Sequence, residues 1–240
     1  MSKSIKVTLI IFLVLLIDQV VKIWIKTSMT YGEEFQILGL DWARIHFVEN
    51  PGMAFGIEFG GGYGKLALSL FRIIAVVFLI YYIRQLIKAE APSGLLVSFA
   101  LILAGAFGNI IDSAFYGLIF SESTYHGAPA TLFPPEGGYA GFLHGRVVDM
   151  FYFPIYEGTL PNWFPLWAGQ DVLFFRPVFN IADSAITCGV LSILLFQRSF
   201  FSVKKEDEAH LQPALETTNP SSGSEFPSEI VEPQPDKPEN

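Results

Sequence analysis

The sequence predicts an all-α membrane protein built on four transmembrane helices, and two observations carry that expectation. Of 240 residues, 51% are hydrophobic and 23 are Phe, against 15 Lys plus Arg. That balance lies outside ordinary soluble domains. Four apolar segments, near residues 5–25, 66–87, 95–116 and 178–196, approach or reach the ~20 residues needed to cross hydrocarbon.

The first segment has Lys3 and Lys6 ahead of its apolar run, as a cleaved leader would. However, it lacks a small-x-small cleavage site and continues through Val20, Val21, Ile23 and Trp24, so it reads as a retained span. Basic residues orient the set. Lys3, Lys6, Arg84, Lys88, Arg198, Lys204 and Lys205 fall on one side, while Lys26, Arg44, Lys65, Arg146 and Arg176 are spread over two longer loops on the other. The positive-inside rule then places both termini in the cytoplasm and both long loops outside.

In the first outer loop, residues 26–65, alternating patches at 35–38 and 43–48 precede the break ENPGMAFG (49–56). This pattern reads as short strands on the membrane surface. GGGYGK (60–65) has neither the glycine spacing nor the Ser or Thr of a phosphate loop and reads as a flexible turn. The second outer loop, about 117–177, is rich in Pro, Gly and aromatics. Trp163 and Trp167 suit an interface, with 161–175 as a short interfacial element. From 204 to 240 there are nine acidic and three basic residues among Pro and Ser, the composition of a disordered tail. Taking that −6 out of the net −8 leaves the body at −2. No basic face exists, which argues against nucleic acid as a partner. One cysteine, Cys188, allows no internal disulfide and, lying in an apolar run, reads as a buried packing residue. His46, His126, His144 and His210 show no metal-ligand spacing, and no nucleophile elbow of the GxSxG kind occurs.

The informative residues are the polar ones set among apolar neighbours. GRVVDM (145–150) and FNIADS (179–184) each place one aspartate, Asp149 or Asp183, at the outer edge of the apolar region. An ionised Asp at the centre of a bilayer costs roughly 3 kcal/mol even on the most lenient scale. Two carboxylates held close cannot both ionise easily, so one keeps a proton and the other serves as a base. That pair can activate a water and protonate a carbonyl oxygen. Asp18 and Lys22 are four apart and share a helix face; they either face the bundle interior or neutralise each other near the interface, with Lys22 snorkelling. In GAFGNIIDS, Gly105 and Gly108 read as close helix packing, whereas Asn109 and Asp112 need polar partners at membrane depth. Asn50 and Gly52 of the Asn-Pro-Gly break form an ordinary turn or offer an amide to a substrate backbone.

In this order, DQVVK in span one, ENPGMAFG, GNIID in span three, GRVVDM and FNIADS resemble the lipoprotein signal peptidases, also called type II or prolipoprotein signal peptidases. The resemblance covers residues 1–203 as a four-span peptidase domain and leaves 204–240 as a cytoplasmic tail. It implies a four-helix membrane bundle with a small β-cradle on the outer, periplasmic face of the bacterial inner membrane. The implied activity is aspartic endopeptidase cleavage of signal peptides from diacylglyceryl prolipoproteins, just before the lipidated cysteine. Asp149 and Asp183 would be the catalytic dyad. Asn50, Gly52, Asn109, Asp112, Arg146 and Asn180 would hold substrate or order the dyad, with Asp18 and Lys22 in support. The resemblance implies no metal or organic cofactor and inhibition by the cyclic peptide globomycin. Membrane lipid is the expected surrounding and a monomer the expected state, although the sequence does not fix the oligomeric state.

The sequence departs from the pattern in two places. Ser113 stands directly after Asp112, where the family usually has arginine, and residues 117–143 are longer than in compact members. Arg146 is the nearest basic residue in sequence to either dyad aspartate. It either supplies donors to substrate in place of that arginine or anchors its loop at lipid headgroups. A small proton- or ion-coupled transporter would also use intramembrane carboxylates, but no internal repeat or broken helix marks one here. A non-catalytic assembly factor would leave the paired aspartates unexplained.

Overall fold

The computed structural model describes residues 1–51, 61–154, 156–159, 161, 163, 169–174 and 177–197. Gly52 with the rest of 52–60, Trp167, Arg176, Arg198 and the acidic tail lie outside the described residues. Four apolar helices dominate: α1 (Lys3–Ser28), α2 (Gly61–Lys88), α3 (Ser93–Ile119) and α4 (Ile181–Phe196). The first three are long and apolar enough to cross a membrane. α4 has 16 residues, about 24 Å of helix, so it is shorter than the segment expected at 178–196. The difference lies at its start, where Val178–Phe179 pair into a sheet and Asn180 caps the helix.

The glycine run read as a flexible turn is instead largely helical, since Gly61 to Lys65 lie in the first turns of α2. Extending an existing helix backward from Leu66 needs no new nucleus, so the glycines join it although each costs about 1 kcal/mol relative to Ala. Ile5, Phe12, Leu16 and Val20 on α1 and Phe71, Ile74 and Phe78 on α2 are exposed. A helix satisfies its own backbone hydrogen bonds, which lets such apolar surface face lipid. Cys188 belongs to this outer surface. It is exposed on α4, near exposed Leu191 and Leu195, and so is not the buried packing residue its apolar run implied.

α3 is the central helix and packs on α1, α2 and α4. With lipid as apolar as the helix surface, close backbone approach rather than the hydrophobic effect drives such packing. Gly105 makes that approach to α4: a Cβ built there would lie 2.1 Å from the Ala182 carbonyl oxygen and 2.7 Å from Ile186 Cγ1. Toward its end, α3 widens into a π-turn over Asp112–Tyr116. This extra residue per turn places Asp112, Ser113, Ala114 and Tyr116 all in buried positions. Such π-bulges concentrate at functional sites.

A small antiparallel sheet covers the end of the bundle where α1 finishes and α4 begins. It runs β1 (Glu34–Gln36), β2 (Arg44–Asn50), β3 (Val147–Tyr152) and β6 (Val178–Phe179), in the order β1-β2-β3-β6. β4 (Tyr156–Thr159) and β5 (Asp171–Phe174) form a separate hairpin. The patches expected as strands shift by a few residues, because Ile37–Gly39 closes a 3₁₀ turn with Leu38 at a positive φ of 52°. The sheet corrects one larger expectation. GRVVDM is not the edge of a span; it forms β3, between β2 and β6. Alternation along β3 sends Val148 and Met150 into a core with Ile25, Met29, Ile45, Phe47, Tyr116 and Phe120, and therefore turns Asp149 to the opposite face.

The α3–α4 contact yields a testable consequence. Gly105→Ala should destabilise the protein by about 1–3 kcal/mol, the usual range for overpacking, seen as a lower thermal midpoint in detergent. Gly141→Ala, with nothing within 4 Å of the added methyl, should leave that midpoint unchanged. Equal behaviour of the two variants would mean that α3 and α4 do not touch at Gly105.

Candidate active site

Lys22 organises the centre of the site. Its ammonium is fully buried and lies 2.9 Å from Asp18 Oδ2 and 2.8 Å from Asp112 Oδ2, and it donates to Asn109 Oδ1 at 2.9 Å. Of the two readings open in the sequence, the structure takes the interior one, and Lys22 does not snorkel. Asp18 accepts from the backbone N–H of Ala182 at 3.0 Å, which ties α1 to the first turn of α4. Asp112 accepts from the backbone N–H of Val148 at 3.3 Å and from Gln19 at 2.9 Å, which ties α3 to β3. A Cβ on Gly108 would come within 2.7 Å of an Asp18 oxygen, so this glycine makes room for the charge cluster.

The asparagines carry the next layer. Asn180 is fully buried; its amide donates to Asp149 Oδ1 at 2.7 Å and to Asn109 Oδ1 at 3.2 Å. Its side-chain oxygen accepts from the backbone N–H of Asp183 at 2.9 Å, and the Asp183 carboxylate accepts in return from the Asn180 backbone N–H at 3.4 Å. This is a capping box, two helix-end donors satisfied reciprocally. It places Asp183 in the first turn of α4, where the helix dipole favours negative charge. Asn109 donates to Asp183 Oδ1 at 2.8 Å.

Asp149 and Asp183 thus come to one place, the first from a strand and the second from a helix. Asp149 is buried, 3% exposed. Val48 on β2 lies opposite Asp149, so Asn50, two residues further, shares its face, and the Asn50 side chain hydrogen-bonds the Asp149 carboxylate. Burial, reinforced by the neighbouring Asp183 charge, pushes the Asp149 carboxyl up to about 7, against the lowering effect of Lys22, Asn180 and Asn50. A buried carboxyl raised in this way, beside a second, partly exposed carboxylate, has the chemistry for general acid–base work.

Arg146 pairs with two carboxylates outside the dyad. It lies 3.3 Å from Glu49 and 3.1 Å from Glu122, with its guanidinium over the Tyr139 ring. These partners link it to residues 117–143, the segment longer than in compact members, rather than to a dyad carboxylate. Lys26, expected in an exposed loop, is fully buried in α1. It pairs with Glu49 and donates to Ser123 at 2.8 Å. Together these contacts clamp the end of β2 next to Asn50. Ser113 is buried and spends its hydroxyl on the Asn109 carbonyl at 3.0 Å.

Three further residues take part that sequence reasoning did not single out. Gln19 donates to Asp18 and Asp112 and accepts from Tyr116. Glu49 holds Lys26 and Arg146. Arg72 on α2 interacts electrostatically with Asp183, Asp112 and Asp149. The signal for Arg72 was available, since a cation inside an apolar run of span length is by default a functional candidate. An apolar cavity of about 400 Å³ between α1, α2 and α3, lined by residues such as Val7, Ile83, Arg84 and Phe107, contains none of these carboxylates. Among the described residues no cluster of His, Cys, Asp and Glu suits a metal ion.

Comparison with known proteins identifies the family. Residues 10–200 match the family model described as signal peptidase (SPase) II. A protein of Porphyromonas gingivalis named lipoprotein signal peptidase is 54% identical over 190 residues, covering 79% of this chain and 81% of its own. One of the same name from Amoebophilus asiaticus is 42% identical over 193 residues, covering 79% and 76%. The solved structure of a bacterial membrane enzyme, determined in meso at 2.3 Å resolution, aligns with a TM-score of 0.53 and 25% identity over 84% of this chain and 92% of its own. The chain therefore belongs to the signal peptidase II family.

Proposed function

We propose that this protein is an aspartic endopeptidase that removes signal peptides from diacylglyceryl prolipoproteins, cutting just before the lipidated cysteine. Family membership supports a protease acting on prolipoproteins. The meeting of Asp149 and Asp183 through Asn180 is the observation that carries the aspartic mechanism. In this reading Asp183, which accepts hydrogen bonds at a helix N-terminus, is the base, and Asp149 is the acid. Asp183 takes a proton from water as the oxygen attacks the scissile carbonyl carbon, and Asp149 delivers its proton to the carbonyl oxygen. Collapse of the tetrahedral species breaks the C–N bond as the proton on Asp183 passes to the leaving amine and one hydroxyl proton of the intermediate returns to Asp149, which restores the starting state of the pair.

The helices would form a four-span bundle, with α4 the short fourth member and the sheet a cradle on the outer face of the inner membrane. A scissile bond beside a lipid anchor would then lie at the depth of the carboxylates. Asn50, Gly52, Asn109 and Asn180 would hold substrate or order the dyad, and 204–240 would be an accessory cytoplasmic tail. An ion-coupled transporter shares the intramembrane carboxylates but not the family match.

Three measurements test the reading. With a lipidated prolipoprotein as substrate, Asp149→Asn and Asp183→Asn should each abolish the globomycin-sensitive release of signal peptide, and the double variant should be no worse than either, because members of one catalytic unit are non-additive. Substantial cleavage by either single variant would remove the aspartic mechanism. The wild-type rate should fall as pH rises through about 7, because the Asp149 carboxyl gives up its proton in that range; a rate still climbing at about pH 9 would exclude Asp149 as the acid. In a Cys188→Ser background, a cysteine at the exposed His126 should react with an impermeant thiol reagent on intact spheroplasts, while one at the exposed Ser93 should not. The opposite labelling would put the dyad on the cytoplasmic side.

A further inference from the structure

The buried charges of the site do not balance without α2. Asp18 and Asp112 share Lys22, while Lys26 and Arg146 are engaged by Glu49 and Glu122. With one proton on the dyad, three carboxylate charges remain against the single ammonium of Lys22. Arg72 supplies a further cation. It lies half-buried on α2, three residues after Ser69 and four before Val76, which are 4% and 5% exposed. The three therefore form one stripe on the packed face of the helix, while Phe71 and Ile74 beside it point outward at 67% and 68% exposure. Ser69 fixes the rotation of α2 by donating to the Leu143 carbonyl at 3.2 Å. Leu143 begins the short run into β3, where Gly145 packs directly on the π-turn: a Cβ there would meet the Asp112 carbonyl oxygen at 2.2 Å. This docking brings the next turn of α2, with Arg72, toward the end of the bundle that holds Asp112, Asp149 and Asp183, the three groups whose charges act on it.

We propose that Arg72 is a positioning residue of the dyad, a cation delivered from α2 whose charge keeps one proton, rather than two, on the Asp149–Asp183 pair near neutral pH. This rests on the dyad reading above. Among the described residues, the other charged or titratable groups around the pair are Asp18 and Lys22 from α1, Asp112 and Tyr116 from α3, and the Lys26–Glu49–Arg146 cluster beside β2. On α2, Lys65 shares the stripe of Ser69 and Arg72 but lies two turns nearer the start of the helix. A positive charge beside the dyad favours both of its ionisations, so removing the charge moves both to higher pH.

The test is the pH dependence of kcat for a lipidated prolipoprotein in detergent micelles. For Arg72→Gln, both limbs of the profile should move up by about one pH unit, with a KM change under about threefold, and Arg72→Lys should keep the wild-type limbs. If Arg72→Gln does not fold, Arg72→Cys in a Cys188→Ser background can be converted to a mixed disulfide with a neutral or an aminoethyl methanethiosulfonate, with sulfinate as the leaving group. The neutral adduct should show the shifted limbs and the cationic adduct the native ones. Limbs that stay in place while activity follows the thermal midpoint would make Arg72 a structural anchor and overturn the proposal. A raised KM with fixed limbs would make it a substrate contact and overturn it equally. Asp149→Asn and Asp183→Asn, assayed alongside, separate the two levels: if both are inactive and the limbs do not move, only the role of Arg72 fails, whereas an active dyad variant removes the reading beneath it.

Discussion

The burial of Lys22 is the constraint on which the rest of the site depends. An ammonium enclosed by protein at membrane depth is tolerable only if every donor finds an acceptor and the charge is matched. Lys22 meets Asp18 from its own helix and Asp112 and Asn109 from α3. Each partner then has a second obligation: Asp18 to α4, Asp112 to β3, and Asn109 to Asp183 and Asn180. Removing one partner of such a pair generally costs about 3–5 kcal/mol, because the remaining charge is stranded. One lysine thus fixes the mutual placement of two helices, a strand and a helix cap.

This explains how a small sheet can hold a carboxylate beside a helix end with little freedom. Asp149 is set by strand alternation and by the register of β2 on β3, and Asp183 by the capping box of α4. Neither placement needs the other, and Asn180 connects them. The Lys26–Glu49 pair, wrapped by Ser123, Phe120 and Tyr139, steadies β2 immediately before Asn50. Residues 117–143, which fold back against the end of α3 through backbone bonds such as Tyr139 to Phe120, supply part of that wrapping.

Much of this was legible in the sequence, for physical reasons that differ by element. Long apolar runs announce α1, α2 and α3 because length and hydropathy are local properties. Asp18 and Lys22 are legible because helix spacing alone puts them together. The sheet was harder: β3 is buried on both faces, so its residues show no alternation, and VVDM beside the bundle resembles a span edge. Cys188 was misplaced because an apolar run does not distinguish a core face from a lipid face. The partners of Arg146 come from segments distant in sequence, and only the fold brings Glu49 and Glu122 to it. Arg72, by contrast, was readable as a charge in a span.

The division of the carboxylates between a strand and the last helix has a consequence for biogenesis. While the chain is being made, Asp149 emerges with β3 and can meet Asn50, but the second carboxylate and Asn180 arrive only when α4 follows. An incompletely inserted chain holds one aspartate on an unfinished sheet edge and lacks the other entirely. If the pair is the catalytic machinery, no intermediate of assembly can hydrolyse a peptide. The fold then acts as its own safeguard against premature proteolysis, and needs no propeptide to do so.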